Sequence, residues 1–157
     1  MRTEEQYRAC AALFAEGRQA ICKGYLTPEA LAGWTPESCY AQLMEEKKEG
    51  WACYLHTTKN IPDAMVTVNH KTGQIEHLFV AEGARGRGIG QKMLEMARKK
   101  LPEHEHPVLT VLDKNTRAIA LYRRMGWKVC GVAEVFDPEK DRFAAVHAEL
   151  LEMRREG

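Results

Sequence analysis

The chain lacks most of what would mark a specialised surface or compartment. Acidic and basic residues nearly cancel, 22 against 23 for a formal charge of +1, so no global field draws it to nucleic acid or to anionic membrane. Neither a nucleic-acid partner nor a membrane is expected. The five cysteines, at 10, 22, 39, 53 and 130, are odd in number and have no short paired spacing, which argues against a disulfide framework and a structural zinc site. They read as reduced thiols, with Cys53 on an alternating apolar pattern and therefore in the core. Nothing sets a His or Asp beside any of them, as a nucleophilic cysteine requires. No apolar run reaches membrane length, and the first residues, Met1-Arg2-Thr3-Glu4-Glu5, are charged, so a soluble, cytoplasmic protein is expected. Long Ser, Gly or Pro tracts are missing as well. With 45% apolar residues over 157 positions, one domain spanning 1–157 can bury a core.

Periodicity supplies the elements. Tyr7, Cys10, Ala11, Phe14 and Ile21 recur at helical spacing, which predicts an amphipathic helix over 4–22. Thr27-Pro28 and Thr35-Pro36 each put a capping hydroxyl before a proline, opening a short turn and then a helix through Lys48, ended by Gly50. Alternation at Trp51, Cys53 and Leu55, the run Ala64 to Asn69 and, after the turn His70 to Gly73, the run Gln74 to Val80 predict three strands. Their short connections make them antiparallel neighbours. Ile89, Met93, Ala97 and Leu101 form the apolar stripe of a helix that returns the chain to a strand at 108–112, parallel to 74–80. Residues 127–136 and 143–151 read as closing strands about the charged turn Asp137 to Asp141. The fold class is α/β in the α+β sense, a mixed and mostly antiparallel sheet with one parallel pair, flanked by helices.

The chemistry concentrates between Val80 and Leu94. The apolar strand breaks at a turn with glycines at 83, 86, 88 and 90, and a helix follows. Such a turn leaves backbone N–H groups unpaired at the positive end of the helix dipole, an anion site whose usual guest is phosphate. A nucleotide-triphosphatase loop needs Lys and then Ser or Thr after its last glycine, where this chain has Gln91 and Lys92. The dinucleotide fingerprint needs glycines at first, third and sixth positions, whereas Gly86, Gly88 and Gly90 give first, third and fifth. What fits is Arg85-x-x-Gly88-x-Gly90. Downstream, the strand from Val108 is followed by a segment in which Asn115 or Thr116 can cap a helix, Gly126 can end it, and Trp127 begins the next strand.

Arg85-x-x-Gly88-x-Gly90 resembles the pyrophosphate-binding motif of the GCN5-related N-acetyltransferases, or GNAT proteins. Asn115-x-x-Ala118 followed by Tyr122 and Gly126-Trp127 resembles the second landmark of the same family, at the expected distance. The resemblance is specific over residues 74–127 and architectural elsewhere. It implies that the central parallel strands are splayed, and that the family's N-terminal strand is short or missing here, since only Met1 to Thr3 precede the first helix. It also implies an N-acetyltransferase moving the acetyl group of acetyl-CoA directly to a primary amine of a small molecule or peptide, without metal or covalent enzyme intermediate. The alternative is a non-catalytic acyl-CoA sensor of the same fold. A homodimer is a further expectation, whereas the amine leaves no signature in residues 4–48 or 132–143.

Site roles follow residue by residue from that resemblance. The N–H groups from Arg85 through Gly86, Arg87, Gly88, Ile89 and Gly90 to Gln91 would cradle the coenzyme pyrophosphate, with Arg85 and Arg87 as salt-bridge partners. The free edge at Leu78, Phe79 and Val80 would pair with the pantetheine arm and supply an oxyanion donor. Tyr122 matches the phenol that protonates or hydrogen-bonds the coenzyme sulfur, and Asn115 either orients the coenzyme or serves only as a helix cap. For the base, Glu76 comes first and His77 second. Glu76 has the parity of the family's glutamate, although that residue often lies two positions earlier, at Gln74 here. Strand alternation puts Ile75, His77 and Phe79 on one face and Glu76, Leu78 and Val80 on the other, so only one of the two candidates can face the acceptor. Glu103-His104-Glu105-His106, bracketed by Pro102 and Pro107, reads as a solvated loop rather than a zinc site, because adjacent residues cannot converge on one ion without strain.

Overall fold

A computed structural model describes residues 3–23, 28–113, 115–136 and 148–155. Helix α1 (Glu4–Cys22) opens on Thr3, whose hydroxyl accepts from the Gln6 backbone while the Gln6 side chain accepts from the Thr3 N–H. This reciprocal box satisfies two donors that the first turn would leave bare. Helices α2 (Pro28–Ala32) and α3 (Pro36–Lys48) follow, and Thr35 and Ser38 build the same box at the start of α3. Thr27, expected to cap α2, lies outside the described residues.

Strands β1 (Trp51–Thr58), β2 (Ile61–Asn69), β3 (Gln74–Val80), β4 (Val108–Leu112), β5 (Trp127–Phe136) and β6 (Ala148–Arg155) form one sheet in the order β1-β2-β3-β4-β6-β5. Helix α4 (Ile89–Lys99) joins β3 to β4, and α5 (Thr116–Arg124) joins β4 to β5. The β3–β4 pair is parallel and the other pairs are antiparallel. Two strands depart from expectation. β2 begins at Ile61 rather than Ala64, and β6 reaches Arg155 because polar Glu152 and Arg154 flank the fully buried Met153 in ordinary strand alternation. The expected turn at 137–141 and residues 143–147 lie outside the described residues. Among the described residues no strand precedes α1, and no helix is long and apolar enough to cross a membrane.

Each face of the sheet carries a core. On one, the α4 stripe of Ile89, Met93, Ala97 and Leu101 packs with Val66, Val68, Ile75, Trp127 and Met153. On the other, α1 and α3 bring Cys10, Phe14, Cys39 and Leu43 against Cys53, Met65 and Phe79. Ile75 and Phe79 thus lie in different cores, which corrects the regular alternation expected for β3. The cause is a bulge. Thr67 faces Glu76 and Met65 faces Phe79, so Val66 alone opposes both His77 and Leu78, and His77 takes a left-handed φ of 51°. Past the bulge, the faces of β3 exchange.

Two features of this frame position the site. The parallel pairing of β3 and β4 consists of Gln74 with Val108 and Ile75 with Leu109. Beyond it the strands part, and among the described residues the β3 edge from Glu76 to Val80 has no strand partner on that side, in keeping with the expected splay. At the other edge of β3, Asp63 braces the β1–β2 hairpin by accepting from His56 Nδ1 at 2.6 Å and from the Thr58 hydroxyl, while its carbonyl accepts from Ala81 N at 2.8 Å. The end of β3 is thereby tied to its neighbour just before the glycine turn.

Candidate active site

A cavity of about 620 Å³ opens where β3 and β4 part. Its walls include Leu78, Phe79 and Val80 from β3, Arg85, Gly86, Gly88, Ile89, Gly90 and Gln91 from the glycine turn and α4, and Asn115 and Tyr122 from α5. Residues named for three separate reasons along the sequence therefore meet in one space. Arg87 does not join them. It is exposed and absent from the cavity wall. The turn bends away at Gly86 (φ 82°) and Gly88 (φ 75°), left-handed conformations that side-chain-bearing residues rarely adopt.

Gly88 caps α4 without any side-chain hydrogen bond, and the first helical bond at this end runs from Lys92 N to Gly88 O at 3.1 Å. The N–H groups of Ile89, Gly90 and Gln91 thus precede the helical ladder and face the cavity end of the helix dipole. A Cβ on Gly86 or Gly88 would meet nothing within 4 Å, so the space over this turn is open. Arg85 lies across it, its Nε donating to Val80 O at 3.3 Å. This donor set suits a pyrophosphate, with backbone N–H groups below and a guanidinium beside them.

Tyr122 is buried, and burial pushes its phenol up to about 12. The hydroxyl is therefore protonated throughout the neutral range. Asn115 caps α5, its Oδ1 accepting from Ala118 N at 3.3 Å, and it also lines the cavity. The two roles considered for it are compatible, because the cap uses the oxygen and leaves the amide NH2 for a ligand. Sequence reasoning missed Lys23 from the end of α1, and Arg117 and Arg124 from α5, all on the cavity wall. The two arginines are seven residues apart, two helical turns on one face, and that spacing was a legible signal.

Glu76 and His77 do not line the cavity. Nor are they separated by the sheet, as alternation required. The bulge brings His77 Nε2 within 3.9 Å of Glu76 Oε2, and both lie near Glu46 of α3. His77 Nε2 is 3.0 and 3.1 Å from the two Glu46 oxygens, its ring stacks on Phe14 at 4.3 Å, and its Nδ1 is buried without a hydrogen-bond partner among the described residues. An ionised carboxylate only accepts, so Nε2 carries the donated proton. Glu76 Oε1 accepts from the Thr110 hydroxyl at 3.1 Å. Burial would raise the Glu46 carboxyl, but the hydrogen bond and charge of His77, with Gln42 and Arg18, outweigh it and hold the group below the ordinary glutamate value. Elsewhere, His104 Nε2 contacts His70 O at 3.1 Å in the Pro102–Pro107 loop.

Known proteins resemble the chain in sequence and in fold. Residues 10–127 match the model of the family described as acetyltransferase (GNAT) family. A stretch of 67 residues is 37% identical to the peptidyl-lysine N-acetyltransferase YjaB of Salmonella typhimurium, covering 42% of this chain and 44% of that protein. The chain thus matches less than half the length of that relative. The fold is similar over nearly its whole extent to a GCN5-related N-acetyltransferase from Rhodopseudomonas palustris, with a TM-score of 0.73 and 13% identity over 99% of this chain and 92% of that one. A PaiA N-acetyltransferase from Thermoplasma acidophilum, solved in complex with coenzyme A, superposes with a TM-score of 0.69 and 13% identity over 98% of this chain and 94% of the other.

Proposed function

This chain belongs to the acetyltransferase (GNAT) family, and from that premise we propose that it transfers the acetyl group of acetyl-CoA directly to a primary amine of a small molecule or peptide. One observation carries the reading: the open edge of β3, the unpaired N–H groups at the start of α4 and the Tyr122 phenol all border one cavity. Pantetheine, pyrophosphate and thioester sulfur are the parts of acetyl-CoA that such groups would bind, in that order. Arg85 supplies charge at the pyrophosphate, and Lys23, Arg117 and Arg124 add to it on the same wall.

In the transfer, the neutral amine nitrogen attacks the thioester carbonyl carbon. A C–N bond forms, the C–S bond breaks, and its electron pair leaves with sulfur. An N–H in the Leu78–Val80 stretch is the candidate donor to the carbonyl oxygen as charge develops there. The proton lost by the amine passes to solvent, or through water to Glu76, which lies off the cavity wall. Glu76 suits this better than His77 because its side chain is 27% exposed against 3%. Tyr122 donates a hydrogen bond to the departing thiolate. Complete proton transfer is unfavourable, since a phenol at about 12 is a far weaker acid than a thiol at about 8.5; solvent completes the protonation.

Thiol release from acetyl-CoA, followed against a panel of primary amines and lysine peptides, tests the proposal. Release that depends on amine concentration is expected. Tight acetyl-CoA binding without release for any amine would instead leave a sensor of the same fold.

A further inference from the structure

Arg18 sits on α1 among three aromatic rings. Its Cζ lies 5.4 Å from the ring centre of Trp34, 5.8 Å from that of Phe14 and 5.9 Å from that of Phe79. Trp34 is anchored to the same helix, its carbonyl accepting from Gln19 Nε2 at 2.6 Å. Ring faces stabilise a cation, but they do not replace acceptors in the guanidinium plane. Arg18 Nε is buried and has no hydrogen-bond partner among the described residues. Glu46, the carboxylate that feels the Arg18 charge, is engaged elsewhere, both its oxygens accepting from His77. No ion pair to Arg18 forms among the described residues.

Buried donors without acceptors are rare, because each forfeits its hydration without return. This donor is also near the site. Phe79 forms one wall of the Arg18 box and one wall of the cavity, so a single ring separates guanidinium from cavity. A rigid fork of donors with its charge already stabilised by aromatic faces fits a planar carboxylate. Glu46, which feels the Arg18 charge, and Glu76 beside it favour a monoanion over a doubly charged phosphate and attract an amine.

We propose that Arg18 reads a carboxylate on the amine acceptor, so that the acceptor is a small zwitterion of the free amino-acid class. This rests on the acetyl-transfer reading and assigns the specificity of that site to a residue outside the coenzyme motifs.

Two measurements test it. In the first, thiol release is compared for free amino acids and the matching amino-acid amides. The acid is favoured in kcat/KM by roughly 10–100-fold, the effect of one charge-assisted hydrogen bond. Arg18→Gln collapses that ratio toward one, and Arg18→Lys, which keeps the charge but not the fork, restores part of it. In the second, N-acetyl amino acids and their amides are titrated into wild-type protein saturated with coenzyme A, and the Arg18 Nε–H signal is followed by NMR. The signal shifts with the carboxylate form alone. Turnover of acids and amides alike, with a ratio that Arg18→Gln leaves unchanged, overturns the inference while acetyl transfer stands. A carboxylate-dependent shift without turnover of any amine keeps the carboxylate site and removes the acetyl-transfer reading. The absence of a shift with either form overturns the inference whatever the kinetics.

Discussion

Glu46 of α3 and His77 of β3, 31 positions apart, are joined by hydrogen bonds of 3.0 and 3.1 Å that fasten the second helical layer to the bulge in the central sheet. The pair ties the wall that carries Phe14 and Arg18 to the strand whose end lines the cavity. A local backbone irregularity is thereby held by a long-range contact.

That contact has a pH signature. The folded Glu46 carboxyl is held below its ordinary value, so its contribution is complete above the unfolded value of about 4.3 and is lost as pH falls through the folded one. Glu46→Gln should lower unfolding free energy by about 1–3 kcal/mol near neutrality. The gap between wild type and variant should shrink as pH falls below that unfolded value. Urea unfolding across that range checks it, and a gap independent of pH would count against the ion pair.

Asp63 provides a second, separate case. Burial opposes its ionisation, but bonds from Thr58 and His56 and the His56 charge prevail and leave it below the ordinary aspartate value. Asp63→Asn should cost about 1–3 kcal/mol above the unfolded aspartate value of about 3.9, with the loss fading as pH falls below it. Amide exchange should accelerate first around residues 56–63, since the clasp closes that hairpin.

Gly17 of α1 lies close against Phe79 of the cavity wall. A Cβ there would fall on Phe79 Cδ1 and stand 2.6 Å from its Cγ. Gly17→Ala gains helix propensity of about 1 kcal/mol, yet displacing a packed ring costs about 1–3 kcal/mol. Reduced thermal stability together with weaker acetyl-CoA binding is expected. A more stable protein with unchanged binding would show that the ring yields freely.

At Gly88, φ of 75° sets the cost of any side chain at about 1–2 kcal/mol, since an added Cβ meets no neighbour. Gly88→Ala should therefore shift Tm modestly and acetyl-CoA affinity by about tenfold or more, because relief of strain turns the N–H groups at the start of α4. Calorimetric titration would expose the contrary result, an unaltered Kd.

Tyr122→Phe removes a hydroxyl and keeps the buried ring. If the phenol donates a hydrogen bond to sulfur in the transition state, kcat should fall roughly 10–150-fold, corresponding to about 1.5–3 kcal/mol for a bond to a charged group. The KM for acetyl-CoA should change little. Equal loss in both parameters, or none, would assign the tyrosine to packing.

The elements that were legible in sequence are those decided by near neighbours. Thr35 caps α3 because a hydroxyl just before a proline at the helix start needs only its near neighbours. The strand from Gln74 to Val80 and the α4 stripe follow from period two and period 3.6. The glycine turn is readable because left-handed φ at Gly86 and Gly88 has few residue solutions. Arg87, expected from the resemblance to join Arg85 at the pyrophosphate, is exposed and off the cavity wall.

From local chemistry alone, then, the sequence determined a glycine-rich helix start with unpaired N–H groups, a capped helix bearing Asn115 and Tyr122, and the parallel crossover that brings them to one end of the sheet. Tertiary structure decided what surrounds them. Whether Glu76 and His77 share a face depended on one extra residue in the register of β3 against β2, and period-two reasoning cannot detect an insertion set by pairing. Glu46 and Arg18 read in sequence as ordinary charges on helices. Only the packing of α1 and α3 against that bulge makes one a buried partner of His77 and leaves the other, among three aromatic rings, with a donor still to satisfy.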